Sequence, residues 1–216
     1  MNLLRKEIKD DGILSIVEMI GGCDLENGPW IAGGCARLLW FGKPWMDHDV
    51  DLFFPNFEKF NLANAALRFH HALDGMSRAD DSSNVLLARS SDQLFETDNA
   101  ITYTTILPSD RTTSAKVQII RTAWHENLRS VWSNFDFTAC KFATDGKVVV
   151  ADPSAVDDCQ RKRLRMNPQS IRRASAIRTL KYSIYGFNAD PDIISELISQ
   201  YRDGTISNDM GLEAYT

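Results

Sequence analysis

Residues 46–54 read Met-Asp-His-Asp-Val-Asp-Leu-Phe-Phe, a carboxylate at every second position of a stretch that ends in three large apolar side chains. In an extended chain, side chains at i and i+2 share a face, so Asp47, Asp49 and Asp51 line up while His48, Val50 and Leu52 point the other way. Like charges placed this way repel, and half-burial adds a desolvation cost, so the pattern calls for a positive counter-charge. A divalent cation supplies it. Mg²⁺, or Mn²⁺ in its place, is bound through one or two carboxylates and shared with substrate phosphates. Asp49 and Asp51 are the expected metal ligands and the expected catalytic pair. Asp47 is either a third ligand or, the reading we favour, the exposed entrance to the strand. Two such ions about 3.5–4 Å apart activate an attacking hydroxyl and stabilise a leaving pyrophosphate.

Upstream of the aspartates lies Gly33-Gly34, on the approach to "CARLLWFG". A double-glycine turn between a strand and a helix lets backbone N–H groups come close to phosphate oxygens with no Cβ in the way. Arg37, one turn into that helix, is placed either to reach a phosphate or bridge to the aspartates, or to sit on the surface. A lone DxD is most often a solvated loop; the glycine turn at this spacing moves the reading toward a nucleotide site.

The elements that must hold these residues follow from periodicity and punctuation. Residues 1 to about 22 have helical spacing, "GPWIA" reads as a short strand, and "HDVDLFF" as the next. "NFEKFNLANAALRFHHALDG" is helical, with Asn56 as cap and Gly75 as stop. "NVLLARS", "AITYTTILP" and "AKVQIIRT" are short and β-branched, which is the look of strands. "AWHENLRSVWSNF" reads as a helix, and "DFTACKFATDGKVVVADP" as two strands around an Asp145-Gly146 turn. Beyond Pro153 the chain reads as helices: "SAVDDCQRKRLR", "PQSIRRASAIRTLKYSIYGF" and "DPDIISELISQYRDG", with breaks at Pro168 and Pro191. The expected architecture is α+β, a mixed-sheet head over residues 1–155 followed by a small all-helical neck over 156–216.

Of 216 residues, 44% are hydrophobic, enough for an ordinary globular core. The first twenty residues hold no continuous apolar run that would serve as a signal or a membrane span, so a cytoplasmic protein without membrane association is expected. Cys23, Cys35, Cys140 and Cys159 show neither CxxC spacing nor histidines at zinc-ligand intervals, and read as small buried hydrophobes in a reducing compartment. Net charge is −5, yet Arg161 to Lys181 contains eight basic residues and no acidic one, leaving −13 for the rest. Within that run Arg178 and Lys181 are neighbours on one helix face, with Arg172 nearly two turns earlier. Such a row suits a triphosphate, which an arginine meets bidentately and a lysine as a point charge. Arg161, Lys162, Arg163 and Arg165 read mainly as a solvated face, with nucleic-acid contact as the lesser reading.

Taken together, these residues resemble a nucleotidyltransferase of the DNA polymerase β superfamily, and more narrowly the head and neck of class II CCA-adding enzymes and bacterial poly(A) polymerases. That family opens with GGxxRD followed by DxD on the next strand, matched here by Gly33, Gly34 and Arg37 and by Asp49 and Asp51. Its RRDFTxNAxA landmark is matched in "NFDFTACKFA" by Asp136, Phe137, Thr138 and Ala139. A hairpin, the words "DP", a basic stretch and a helix closing in Gly-Phe follow in the same order, so the resemblance runs from about residue 28 to 187. It departs at Leu38 in place of the aspartate, at Ser133 and Asn134 in place of the paired arginines, and at Gln118 where many superfamily members carry a third carboxylate. The base-reading EDxxR motif falls near Ile171–Ser175, "IRRAS", without its acidic pair. A role in building CCA ends is therefore not expected.

The resemblance implies a Mg²⁺-dependent transfer of a nucleoside monophosphate from an NTP, ATP among them, to an acceptor hydroxyl, with an RNA 3′ end or tRNA, a small molecule or a protein side chain as acceptor. Asp136 either completes the metal site, holds the ribose, or caps the preceding helix. A catalytically degenerate nucleotide- or RNA-binding regulator of the same fold is the alternative, and a plain interaction scaffold a third.

Overall fold

The computed structural model describes residues 2–79, 95–170 and 176–203, which fall into two compact units. The first comprises Arg5–Leu128 with Ala143–Val150, the second Met1–Leu4, Arg129–Phe142 and Ala151–Thr216. The expected strand "NVLLARS" and the "IRRAS" stretch with Arg172 lie outside the described residues.

The first unit is organised on an eight-stranded mixed sheet. Its strands are β1 (Leu4–Glu7), β2 (Trp30–Ala32), β3 (Val50–Phe53), β4 (Phe95–Glu96), β5 (Ala100–Leu107), β6 (Asp110–Ile120), β7 (Phe142–Thr144) and β8 (Val148–Ala151), in the spatial order β1-β8-β7-β2-β3-β6-β5-β4. β3 and β6 are parallel, and β2 is antiparallel to both β3 and β7. Along β5 burial alternates strictly: Ile101, Tyr103, Thr105 and Leu107 are buried and the residues between them half-exposed. This period of two marks a sheet with one face on the core and one open. The covered face carries Val50, Leu52, Val117 and Ile119, none with exposed surface. Helices α1 (Asp11–Met19) and α3 (Phe57–Ala79) meet β5 there; the Tyr103 hydroxyl donates to Asn64, and Thr105 Oγ1 reaches Met19 Sδ at 3.8 Å.

Several elements differ from the sequence reading. The expected helix over residues 1–22 divides: Leu4–Glu7 is a fully exposed edge strand, and helix begins only at Asp11. Asp10 causes the break, because its backbone is extended and its carboxylate accepts from the Ile13 N–H at 2.9 Å, as an N-cap does. Gly75 does not stop α3, which stays helical to Ala79. "AWHENLRSVWSNF" keeps only α4 (Leu128–Trp132), and "DFTAC" forms a 3₁₀ turn over Thr138–Cys140 instead of starting a strand.

In the second unit, α5 (Pro153–Gln160) stops where the sequence predicted continuation to Arg165; the chain turns at Arg161 and Lys162 into β9 (Arg163–Leu164), which pairs in parallel with β10 (Asn188–Ala189). Between them lies α6 (Ala176–Ile184), and α7 (Pro191–Arg202) follows β10. α6 turns its apolar side outward: Ile177, Leu180 and Ile184 are exposed, whereas Thr179 is buried. Among the described residues no helix is long and apolar enough to cross a membrane, and all four cysteines are free thiols, with Cys35 and Cys159 buried.

The second carboxylate oxygen of Asp10 accepts from the indole N–H of Trp45 at 2.9 Å, and Trp45 is 2% exposed. Asp10→Ala is therefore expected to lower the unfolding free energy by about 2–3 kcal/mol in urea titrations, since it removes a cap and leaves a buried donor unpaired. Asp10→Asn, which keeps one acceptor oxygen for the Ile13 N–H but turns an amide N–H toward the Trp45 indole, is expected to recover only part of that loss.

Candidate functional site

Asp51 lies within β3 and Asp49 just before it, both half-buried, while Val50 and Leu52 between and beyond them are fully buried. The two carboxylates thus share the open face of the sheet because the alternate residues are claimed by the core. Asp47 is exposed and sits in a turn, outside the alignment its spacing suggested.

The glycine turn adjoins the same strand. β2 pairs with β3 through Trp30↔Phe53 and Ile31↔Leu52, and the antiparallel register carries the chain from Ala32 into Gly33 at the level of the aspartates. Gly33 has φ 88° and ψ −132°, a conformation open in practice only to glycine, and it caps α2 (Gly34–Trp40). Gly34 is already helical, and a Cβ added there would meet no protein atom within 4 Å. Arg37, on the same helix, is 8% exposed and so is not a surface arginine. A guanidinium this buried is kept only where charge meets it.

On the other side of β3 the parallel register sets Asp51 directly against Gln118 of β6, and Gln118 in turn pairs with Thr102 of β5. Gln118 is 6% exposed, and its amide donates to Thr102 Oγ1 at 3.1 Å. Two carboxylates with a neutral amide beside them form a donor set that suits Mg²⁺, which needs few protein carboxylates when a phosphate completes its shell. Among the described residues no group of three or more His, Cys, Asp or Glu side chains is placed to hold a metal.

In the second unit, Asp136 is 4% exposed and accepts from Arg178 Nη1 of α6 at 3.1 Å. Lys181 follows one turn along the same helix, half-buried. The structure thus joins Asp136 to Arg178, two residues the sequence had assigned to the nucleotide on separate grounds. What sequence reasoning missed is Asn167. Its side-chain amide donates to the carbonyls of Trp132 and Phe135, each at 2.8 Å, and its backbone N–H donates to the Asp136 carbonyl at 2.8 Å. Asn167 therefore fixes the loop that presents Asp136, and the only sequence signal was an asparagine beside Pro168.

The basic run is occupied internally. Arg161 pairs with Asp157, Arg163 bidentately with Asp190, and Arg165 with Asp158, all at 2.7 Å, while Lys162 lies 4.7 Å over the Phe187 ring. Asp158 is fully buried, and that burial holds its carboxyl above the usual range despite Arg165. Lys141 is 4% exposed; burial lowers its ammonium below the ordinary lysine value, with Arg129 and Arg165 adding to the effect and Asp152 and Asp158 opposing it.

The mixed sheet and its helices have the fold of known nucleotidyltransferase structures. A CCA-adding enzyme from Thermotoga maritima, solved with tRNA, is similar over 94% of this chain and 47% of its own, with TM-score 0.53 and 15% identity. A CCA-adding enzyme solved with CTP matches at TM-score 0.52 and 16% identity over 94% of this chain and 46% of its own. A tRNA-processing enzyme matches at 0.51 and 16%, over 92% and 50%. The chain spans about half the length of these structures, and at such identities the likeness is one of fold. By its sequence the chain belongs to the Gabija anti-defense 2 family, whose model matches residues 3–162. No curated protein matches it.

Between the lowered Lys141 value and the ordinary one near 10.4, the unfolded chain holds a proton that the folded chain lacks, so stability rises with pH across that window. Lys141→Met is expected to abolish this rise, seen as a shrinking gap between the urea midpoints of the two proteins as pH climbs from about 7 to about 10.

Proposed function

We propose that this chain is a Mg²⁺-dependent nucleotidyltransferase that acts against the Gabija defence by moving a nucleoside monophosphate from an NTP to an acceptor hydroxyl. The observation that carries the reading is the placement of Asp49 and Asp51 on one open face beside the Gly33-Gly34 turn. In this reading Asp49 and Asp51 hold the cation, which when bound supplies charge neutralisation of the triphosphate and activation of the attacking oxygen. Gly33 and Gly34 let backbone N–H groups approach the phosphates, and Arg37 contributes positive charge toward them. The acceptor oxygen bonds to the α-phosphorus, the bond from that phosphorus to the bridging oxygen breaks, and pyrophosphate leaves with the negative charge.

The internal pairing of Arg161, Arg163 and Arg165 favours a protein side chain or a small molecule over an RNA 3′ end as acceptor, because binding a nucleic-acid backbone relies on cations available to phosphates. A second reading, nucleotide or RNA binding without transfer, is favoured by the neutral Gln118 against Asp51.

Incubating the protein and Mg²⁺ with each α-³²P-labelled NTP, and either total RNA or an extract of cells carrying the Gabija defence, tests both. Label is expected in protein or small molecules, and the Asp49→Ala/Asp51→Ala double variant is expected to lower transfer by about 10³-fold or more without loss of fold. Nucleotide retention with no label in any acceptor selects the second reading instead.

Gly34→Ala separates ligand space from folding. Alanine is the better helix former by up to about 1 kcal/mol, so the variant is expected to unfold at equal or higher urea while binding nucleotide at least tenfold more weakly by calorimetry.

A further inference from the structure

We propose that the solvent face of α3 is a self-association seam, on which two copies of this chain pair their α3 helices antiparallel about a two-fold axis. The inference is independent of the transfer reading.

α3 is apolar on two faces, where a surface helix is ordinarily apolar on one. Phe60, Ala63 and Leu67 are buried, on the side that packs against the sheet. Leu62, Ala66, Phe69 and Leu73 lie on the opposite side: Leu62 is 60% exposed, Phe69 62% and Leu73 44%, with Ala66 half-buried among them. A single exposed leucine needs no explanation. Three large apolar side chains on one line over about three helical turns form a patch, and such patches mark contact surfaces.

The spacing points to a second copy as the occupant. Leu62, Ala66, Phe69 and Leu73 are separated by four, three and four residues, the alternation of a helix–helix seam, and that order reads the same from either end. Antiparallel pairing about an axis midway along the seam therefore sets Leu62 against Leu73 of the second copy and Phe69 against Ala66 of the second copy. Each phenyl ring then enters the gap left by an alanine, and the same patch serves both chains. No residue of the seam is charged, so its closure desolvates no ion at the centre. The area agrees, since the three large side chains present roughly 300 Å² per chain and with their flanks two copies hide about 1,000 Å², the lower limit of a specific interface. An interface of that size is weak, so association is expected in the micromolar range.

Sedimentation equilibrium of the full chain from about 1 to about 300 µM tests this. The wild type is expected to pass from monomer to dimer across that range. Phe69→Glu empties the alanine gap and is expected to weaken the dimer about 30-fold or more. Because Phe69 is largely exposed in the single chain, that variant is expected to keep the urea midpoint of the dilute wild type. Leu62→Lys and Leu73→Glu are each expected to stay monomeric, whereas their equimolar mixture dimerises, because the antiparallel register brings the new lysine of one chain to the new glutamate of the other. A wild type that stays monomeric throughout, or a dimer that tolerates Phe69→Glu, overturns the inference. So does a mixture that fails to dimerise, since the two-fold register is then wrong. A monomeric wild type that binds phosphatidylcholine vesicles through Phe69 assigns the face to a lipid surface and overturns it as well.

Discussion

The burial of Val50 and Leu52 is the constraint from which the candidate site follows. Both lie on the covered face of the sheet with no exposed surface, and β3 is too short to accommodate a slip in register. A shift by one residue would drive two carboxylates into the core and expose two aliphatic side chains, at a cost of several kcal/mol on either count. Apolar packing thus holds Asp49 and Asp51 on the face opposite the core.

Neighbouring strands bring further groups to the alternation. Antiparallel β2 delivers the glycine turn to one side of the aspartates, and parallel β6 delivers Gln118 to the other. These contacts join segments far apart in the chain, so the donor set exists only in the assembled sheet. The likeness to CCA-adding enzymes is a likeness of this framework, at 15–16% identity, whereas membership of the Gabija anti-defense 2 family follows from the sequence itself.

Much of the framework was legible in the sequence where one local rule dominated. The aspartate alternation, the Gly33 turn, the Asp145-Gly146 hairpin and the α7 helix entered through Pro191 each have a strong local cause. Legibility failed where tertiary contacts outvoted periodicity. Leu4–Glu7 has helical spacing but is drawn out as a sheet edge, and Asp10, answering both a helix terminus and the Trp45 indole, sets the boundary. The stretch after Gln160 looked helical because arginine and lysine favour helices, yet its side chains find carboxylates at Asp158 and Asp190 in a turn and a short strand. Asn167 could not have been singled out, because its importance lies in carbonyls more than thirty residues away.

Of the four cations from Arg161 to Arg165, Arg161 and Arg165 turn back to Asp157 and Asp158 of α5, while Lys162 and Arg163 reach forward to the Tyr185 carbonyl and to Asp190. Arg163 grips Asp190, which is the N-cap residue of α7, through a fork of two nitrogens, and Arg165 reaches the interior carboxylate of Asp158. Ionic strength therefore bears on how firmly the start of α7 is fastened, and a segment that resembles a lure for polyanions serves as internal bracing.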